Sequence, residues 1–91
     1  MLKYYVYILL STFNRHYIGY SSNLAQRIAQ HNRKHHGFTY SNDEKWELVC
    51  FIECNDKPSA MKLEKYLKSL KNPKLAIEYI HKSSQVEHPD F

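Results

Sequence analysis

The 91-residue sequence predicts an α+β fold, a three-stranded and mainly antiparallel sheet flanked by helices in the order β-β-α-β-α-α. Three observations predict it. An aromatic and β-branched run at 4–10 is followed by turn formers and then by a second such run, which is the pattern of a hairpin. A third run at 46–54 stands apart, and the segments on either side of it carry apolar residues at helical spacing rather than in alternation. Finally, a chain of 91 residues suffices for one hydrophobic core, and neither a repeat nor a linker divides it. The expected boundaries are a domain over 1–81 and a flexible tail over 82–91.

In the hairpin, Tyr4 to Leu10 is dense in strand formers, Ser11 to Arg15 supplies turn residues, and the strand pattern resumes from His16 to Tyr20. Gly19 stands inside the second strand, where glycine marks a bulge or a close approach by another group. Ser21-Ser22-Asn23 offers helix-capping side chains, and Asn23 with Gln26 three positions on matches a capping box that opens a helix toward Lys34. Leu24 and Ile28 form its apolar stripe. Arg27 and His31, four apart, share one face and can address one target together, and His35 prolongs the line. Gly37 is placed to end this helix, and Phe38 to Lys45 reads as a polar loop with aromatic members.

Trp46 to Cys54 carries apolar side chains on both parities in its middle, which predicts a strand interior to the sheet and covered on both faces. Asn55 to Ser59 reads as a turn and helix start, after which Ala60, Leu63, Leu67 and Leu70 recur at helical spacing to about Lys71. Asn72-Pro73 has the form of an N-cap followed by proline at the first helical position, opening a short last helix through Ile80.

Composition narrows the function. With 43% hydrophobic and 24% charged residues the chain is of globular rather than disordered type. No apolar run approaches the roughly 18 residues that span a bilayer, and Met1 to Tyr5 lacks a signal-peptide pattern, so no membrane association and a cytoplasmic location are expected. There, Cys50 and Cys54 are expected as reduced thiols that serve as small apolar residues, because strand positions four apart are too far separated to bridge. The net charge of +4 suits a polyanionic partner, and eight tyrosines among the cations suit stacking on bases.

One residue does not fit a core. Glu64 follows Ala60 by four and precedes Leu67 by three, so the helix that buries those residues holds a carboxylate near its buried face. Such a group needs a partner. A salt bridge to Arg27 or a lysine would serve, and so would a hard cation such as magnesium or manganese, for which carboxylate oxygens are suited. A zinc site from His31, His35 and His36 with a cysteine is a further reading, although the cysteines lack paired-thiol zinc spacing.

Tyr5-Val6-Tyr7, then Tyr17-Ile18-Gly19 on the next strand, Arg27 eight residues after that glycine, His31 four residues later and Glu64 on a later helix form an ordered set. The set resembles the signature of the GIY-YIG nuclease superfamily, in the small single-domain form related to the catalytic domain of the excision-repair nuclease subunit. The likeness runs from about Tyr4 to Ile80. Tyr5-Val6-Tyr7 stands where the family name has Gly-Ile-Tyr, with the second tyrosine kept. Each half-motif alone is weak, whereas Tyr7, Tyr17, Gly19, Arg27, His31 and Glu64 in this order are together specific.

The resemblance implies a metal-dependent endonuclease that hydrolyses phosphodiester bonds of nucleic acid, DNA above all, with one divalent ion, Mg2+ or Mn2+. It places the metal on Glu64 and general-base duty on Tyr7, with Tyr17 beside it. Tyrosine titrates near 10, so a nearby cation must favour its phenolate, and Arg27 is expected to supply that field while bonding the phosphate. His31 is expected to orient a tyrosine or to contact phosphate. Some members carry a lysine directly after the glycine, where this chain has Tyr20, expected to stack on a base or to pack against a helix. Some also carry a phosphate-binding asparagine after the metal glutamate, and Asn72 is the downstream asparagine, with capping as its other role. Arg33, Lys34 and Tyr40, in the loop from Arg33 to Lys45, are the remaining expected nucleic-acid contacts. A bare catalytic module is expected to bind weakly, structure-selectively or as a weak homodimer. The competing expectation is a non-catalytic nucleic-acid-binding module that retains the nuclease fold.

Overall fold

The computed structural model describes residues 2–33 and 44–86, the side chains of 84–86 excepted. Its elements are β1 (Tyr4–Ser11), β2 (His16–Ser21), α1 (Leu24–Asn32), β3 (Trp46–Cys54), α2 (Lys57–Ser69) and α3 (Pro73–Val86). The sheet order is β2-β1-β3 with both pairings antiparallel, so the predicted class and element order hold. The expected helix end at Gly37, and the contacts expected of Lys34 and Tyr40, lie outside the described residues.

The interior strand is β1, not β3 as its composition suggests: β1 pairs on both edges, and Val6, Tyr7, Ile8 and Leu9 are all fully buried. β3 is an edge. Its doubled apolar parity has a local cause, because the register slips between Ile8, which faces Cys50, and Leu9, which faces Leu48. Val49 is the extra residue of a bulge, and an extra residue moves the apolar set from one face to the other.

The hairpin turn is closed by Ser11, whose Oγ accepts from the backbone N–H groups of Phe13 and Arg15 at 3.0 and 3.1 Å. Asn14 takes φ 65°, a left-handed conformation that asparagine tolerates better than most residues.

α1 starts where predicted, with Asn23 Oδ1 accepting from Gln26 N at 3.1 Å. Only that half of the capping box forms: Asn23 N donates instead to Ser21 Oγ at 3.0 Å. The helix ends at Asn32, short of the expected Lys34, because the Asn32 amide clamps the backbone of Trp46. Its Nδ2 donates to the Trp46 carbonyl at 2.9 Å, and its Oδ1 accepts from Trp46 N at 2.7 Å.

Asp56 caps α2 by accepting from Ser59 N at 2.9 Å, and Asn72 caps α3 by accepting from Lys74 N at 2.9 Å. α3 runs past the expected end at Ile80 to Val86, into the segment expected to be loose. No glycine or proline interrupts the chain between Pro73 and Pro89, so nothing local stops the helix.

The two faces of the sheet are covered differently. Val6, Ile8 and Cys50 pack with Ala60, Leu67, Ala76 and Ile80 of α2 and α3 in the main core. Cys50 and Cys54 both belong to this packing, and burial pushes the Cys50 thiol up to about 11, as expected of an inert apolar residue. α1 covers the opposite face, where Tyr7 and Gly19 face each other across the hairpin. Among the described residues, no helix is long and apolar enough to cross a membrane.

Candidate active site

Tyr7 lies on the central strand directly opposite Gly19, and its ring leans over that glycine. A Cβ at position 19 would meet Tyr7 Oη at 2.8 Å, Tyr7 Cζ at 3.0 Å and Tyr17 Cε2 at 2.8 Å. Those separations are below any ordinary carbon contact, so the glycine is what lets both phenols crowd one spot. Tyr17 and Tyr7 stand with ring centroids 6.2 Å apart. They differ in access: Tyr7 is fully buried, whereas Tyr17 is 37% exposed.

α1 brings His31 over both rings. Its centroid is 4.5 Å from that of Tyr17 and 6.2 Å from that of Tyr7, and Nε2 is 3.4 Å from Tyr7 Oη. Burial, and after it the nearby Arg27 charge, hold the imidazole below its ordinary value, so His31 is neutral at pH 7. In the tautomer with its proton on Nδ1, it accepts the Tyr7 O–H. Trp46 backs the group 6.0 Å from His31, held there by the Asn32 clamp.

Burial pushes Tyr7 up to about 12; Tyr17 and Glu64 add to the rise and Arg27 opposes it. The expected field of Arg27 is therefore present and has the expected sign, but burial outweighs it. Tyr7 is a protonated phenol across the neutral range. That three charged or phenolic groups act on this one hydroxyl also shows that Tyr17, Arg27 and Glu64 lie around it.

A cavity of about 380 Å³ opens at the edge of β2. Arg27 reaches it from α1, Tyr17 and Gly19 from one face of β2, Tyr20 from the other, and Lys57 and Glu64 from α2. The cavity thus wraps around an edge strand, and the two helices on opposite faces of the sheet meet there. Glu64 is half-buried, and its Oε2 is 3.1 Å from Nζ of Lys68, one turn on. The lysine salt bridge read from the sequence is formed, and the carboxylate shares the cavity wall with Arg27.

Of the residues expected to act, Tyr17, Arg27 and Glu64 line the cavity. Tyr7 and His31 stand behind them, and neither contributes to its surface. Tyr20 packs beside the core with its ring 6.4 Å from Tyr4, and both rings also wall the cavity. Tyr5 is not in the site: its ring packs edge-on against Phe51 at 6.0 Å. Arg33 is exposed at the C-cap of α1, outside the cavity, and Asn72 is occupied as a cap. Lys57 was missed by the sequence reading. Its signal was present, since it precedes Glu64 by seven residues and two helical turns return a side chain to the same face.

No group of three His, Cys, Asp or Glu side chains is placed to hold a metal among the described residues. Of the zinc reading, His35 and His36 lie outside the described residues, and the sheet separates His31 from Cys50. A hard cation fits better: the cavity offers one carboxylate and hydroxyl oxygens, with Arg27 and Lys57 for an anionic ligand. Magnesium typically takes one or two carboxylates and fills its remaining positions with water and phosphate.

An α+β domain whose cavity sets one acid between a guanidinium, an ammonium and phenols is a domain for a phosphate-bearing ligand. The family model described as the GIY-YIG catalytic domain matches residues 3–76, and the chain belongs to this nuclease family, with nucleic acid as the implied substrate. Comparison with curated proteins and comparison with solved structures give no match.

Proposed function

We propose that the protein is a metal-dependent endonuclease that hydrolyses phosphodiester bonds of nucleic acid, DNA above all, with a single Mg2+ or Mn2+ on Glu64. The observation that carries this reading is the convergence of Glu64, Arg27 and Tyr17, from three elements, on one cavity. When bound, the cation supplies Lewis-acid stabilisation of charge on the phosphate. Glu64 holds it, giving up Lys68, an exposed side chain that loses little by swinging away.

Arg27 donates paired hydrogen bonds to phosphate oxygens, and its fixed charge stabilises the additional negative charge of the transition state. Lys57 adds a second positive charge on the same surface. Tyr17 is the phenol open to water, so base duty passes to it from the buried Tyr7 that the resemblance pointed to. Its oxygen, on the same cavity wall as Arg27 and Lys57, is the one placed to take the proton of the attacking water. Tyr7, kept protonated and tied to His31, fixes the ring of Tyr17 across Gly19.

Labelled DNA and RNA structures incubated with Mg2+, Mn2+ or chelator, beside Arg27→Ala and Glu64→Ala, test the reading. Cation-dependent products are expected from the wild type and from neither variant, while Glu64→Ala still binds DNA in chelator. The ion pair of Glu64 with Lys68 favours a second reading, a binding module whose carboxylate is purely structural. Wild-type protein that binds DNA and never cuts it, across substrates and both metals, would establish that reading instead.

A further inference from the structure

Tyr17, part of the wall of the candidate active site, also lines a second cleft, of about 330 Å³. Its floor is apolar, with Ile18 and Pro73 beside the Tyr17 ring. Its rim is cationic, with Lys68 and Lys71 from the end of α2 and His16 from the start of β2. No acidic residue lines it. An apolar floor under a basic rim matches a nucleotide, whose base is flat and apolar on its faces and whose phosphate is anionic. The volume falls within the range of about 300–1000 Å³ typical of small-ligand pockets.

Lys71 adds an independent observation. It stands just past the C-cap of α2 with φ 53°, the left-handed position where helices favour glycine. A lysine there is strained, and strained positions cluster where a side chain is needed for function. The strain places an ammonium on the rim of this cleft.

We infer that this cleft seats the nucleotide next to the bond that is cut, and that the substrate strand carries an unpaired base at that point. The inference rests on the proposed nuclease reading. Tyr17 is shared by the two cavities, so a phosphate at Arg27 and a base over Ile18 belong to adjacent positions of one strand. A base reaches the apolar floor only outside a duplex stack, which makes single-stranded or splayed nucleic acid the favoured class.

Binding in chelator tests this without relying on cleavage. Fluorescence anisotropy with labelled single-stranded DNA, and with a blunt duplex of the same sequence, is measured across salt concentrations. The wild type is expected to bind the single strand roughly tenfold more tightly than the duplex, the scale of one stacked base. Lys71→Gly is expected to melt at a higher temperature and still bind several-fold more weakly. The slope of log affinity against log salt should fall by about 0.7 for the lost phosphate contact. His16→Ala, at an exposed position, should also weaken binding, and Lys71→Arg should restore it. Equal affinity of the wild type for strand and duplex, or unchanged binding by both Lys71→Gly and His16→Ala, would overturn the inference. Failure to cleave in the earlier assay would leave this measurement standing.

Discussion

On the α2–α3 side of the sheet, Val6, Ile8 and Cys50 meet Ala60, Leu67, Ala76 and Ile80 in apolar packing that water does not reach. On the α1 side, the same strands present Tyr7, Tyr17 and Gly19 to a helix that has no buried residue of its own. The first face carries the main apolar cluster, whereas the second buries Tyr7 and Leu9 of the central strand under a part-exposed helix, with polar atoms near the surface. The difference teaches where a small domain can place chemistry. Its single large core occupies one face, which leaves the other for a site that needs exposed phenols and cations. The β2 edge is where the two faces join, and there the stable face contributes Glu64 from a well-packed helix while the open face contributes Arg27. An acid carried on the rigid side is held in place by the core that flanks it, Ala60 and Leu67.

The contrast is broken most sharply by removing one side of it. Glu64→Ala and Arg27→Ala should each lower kcat/KM by at least about 100-fold, as loss of a positioned transition-state group does, with melting temperature nearly unchanged. Leu67→Ala should do the reverse, losing about 2–5 kcal/mol in denaturant unfolding while the folded fraction keeps its turnover. If Glu64→Ala unfolds the protein as Leu67→Ala does, the carboxylate belongs to the stable face alone. Gly19→Ala sits between the two. Its Cβ would press on Tyr17 Cε2 and on Oη of the fully buried Tyr7, so about 1–3 kcal/mol of stability and most of the activity should go together. Loss of activity with stability unchanged would mean that the ring yields. Asn23→Ala removes the cap of α1 and should cost about 1 kcal/mol, a modest loss because that helix rests on the open face.

The two faces also differ in how much of them the sequence discloses. Ala60, Leu63, Leu67 and Leu70 repeat at the helical period, and the hairpin is punctuated by turn residues, so the stable face is legible from local pattern alone. β3 was misplaced because a bulge at Val49 mimics a strand covered on both faces, and a bulge is set by pairing that no local window contains. On the open face, Tyr7, Tyr17, Arg27 and Glu64 could be grouped through the family resemblance, since their elements are far apart in the chain. The burial of Tyr7 could not be read at all. It follows from the ring lying against Gly19 and His31, contacts that exist only once the sheet and α1 are assembled. Lys57 was hidden for the opposite reason: a lysine at a helix start is so ordinary that only the cavity singles it out.

The smallest expected effect separates the faces by pH. His31 is held below its ordinary value of about 6.5, mainly by burial and then by Arg27, while the unfolded chain titrates near that ordinary value. Below that pH the unfolded state binds the proton more readily than the native state, so stability rises with pH through this region. His31 makes its full contribution above about 6.5 and loses it progressively as the solution is acidified. The group is partly exposed, which keeps the effect modest. Protonation also removes the acceptor for the Tyr7 hydroxyl, so the loss is felt on the open face and not in the core. Melting temperatures from pH 7 downward should therefore fall more steeply for the wild type than for His31→Asn, which cannot gain that charge. Parallel curves for the two proteins would show that Tyr7 and His31 are uncoupled, and the support that the open face gives to Tyr17 would then have to come from ring packing against His31 and Trp46.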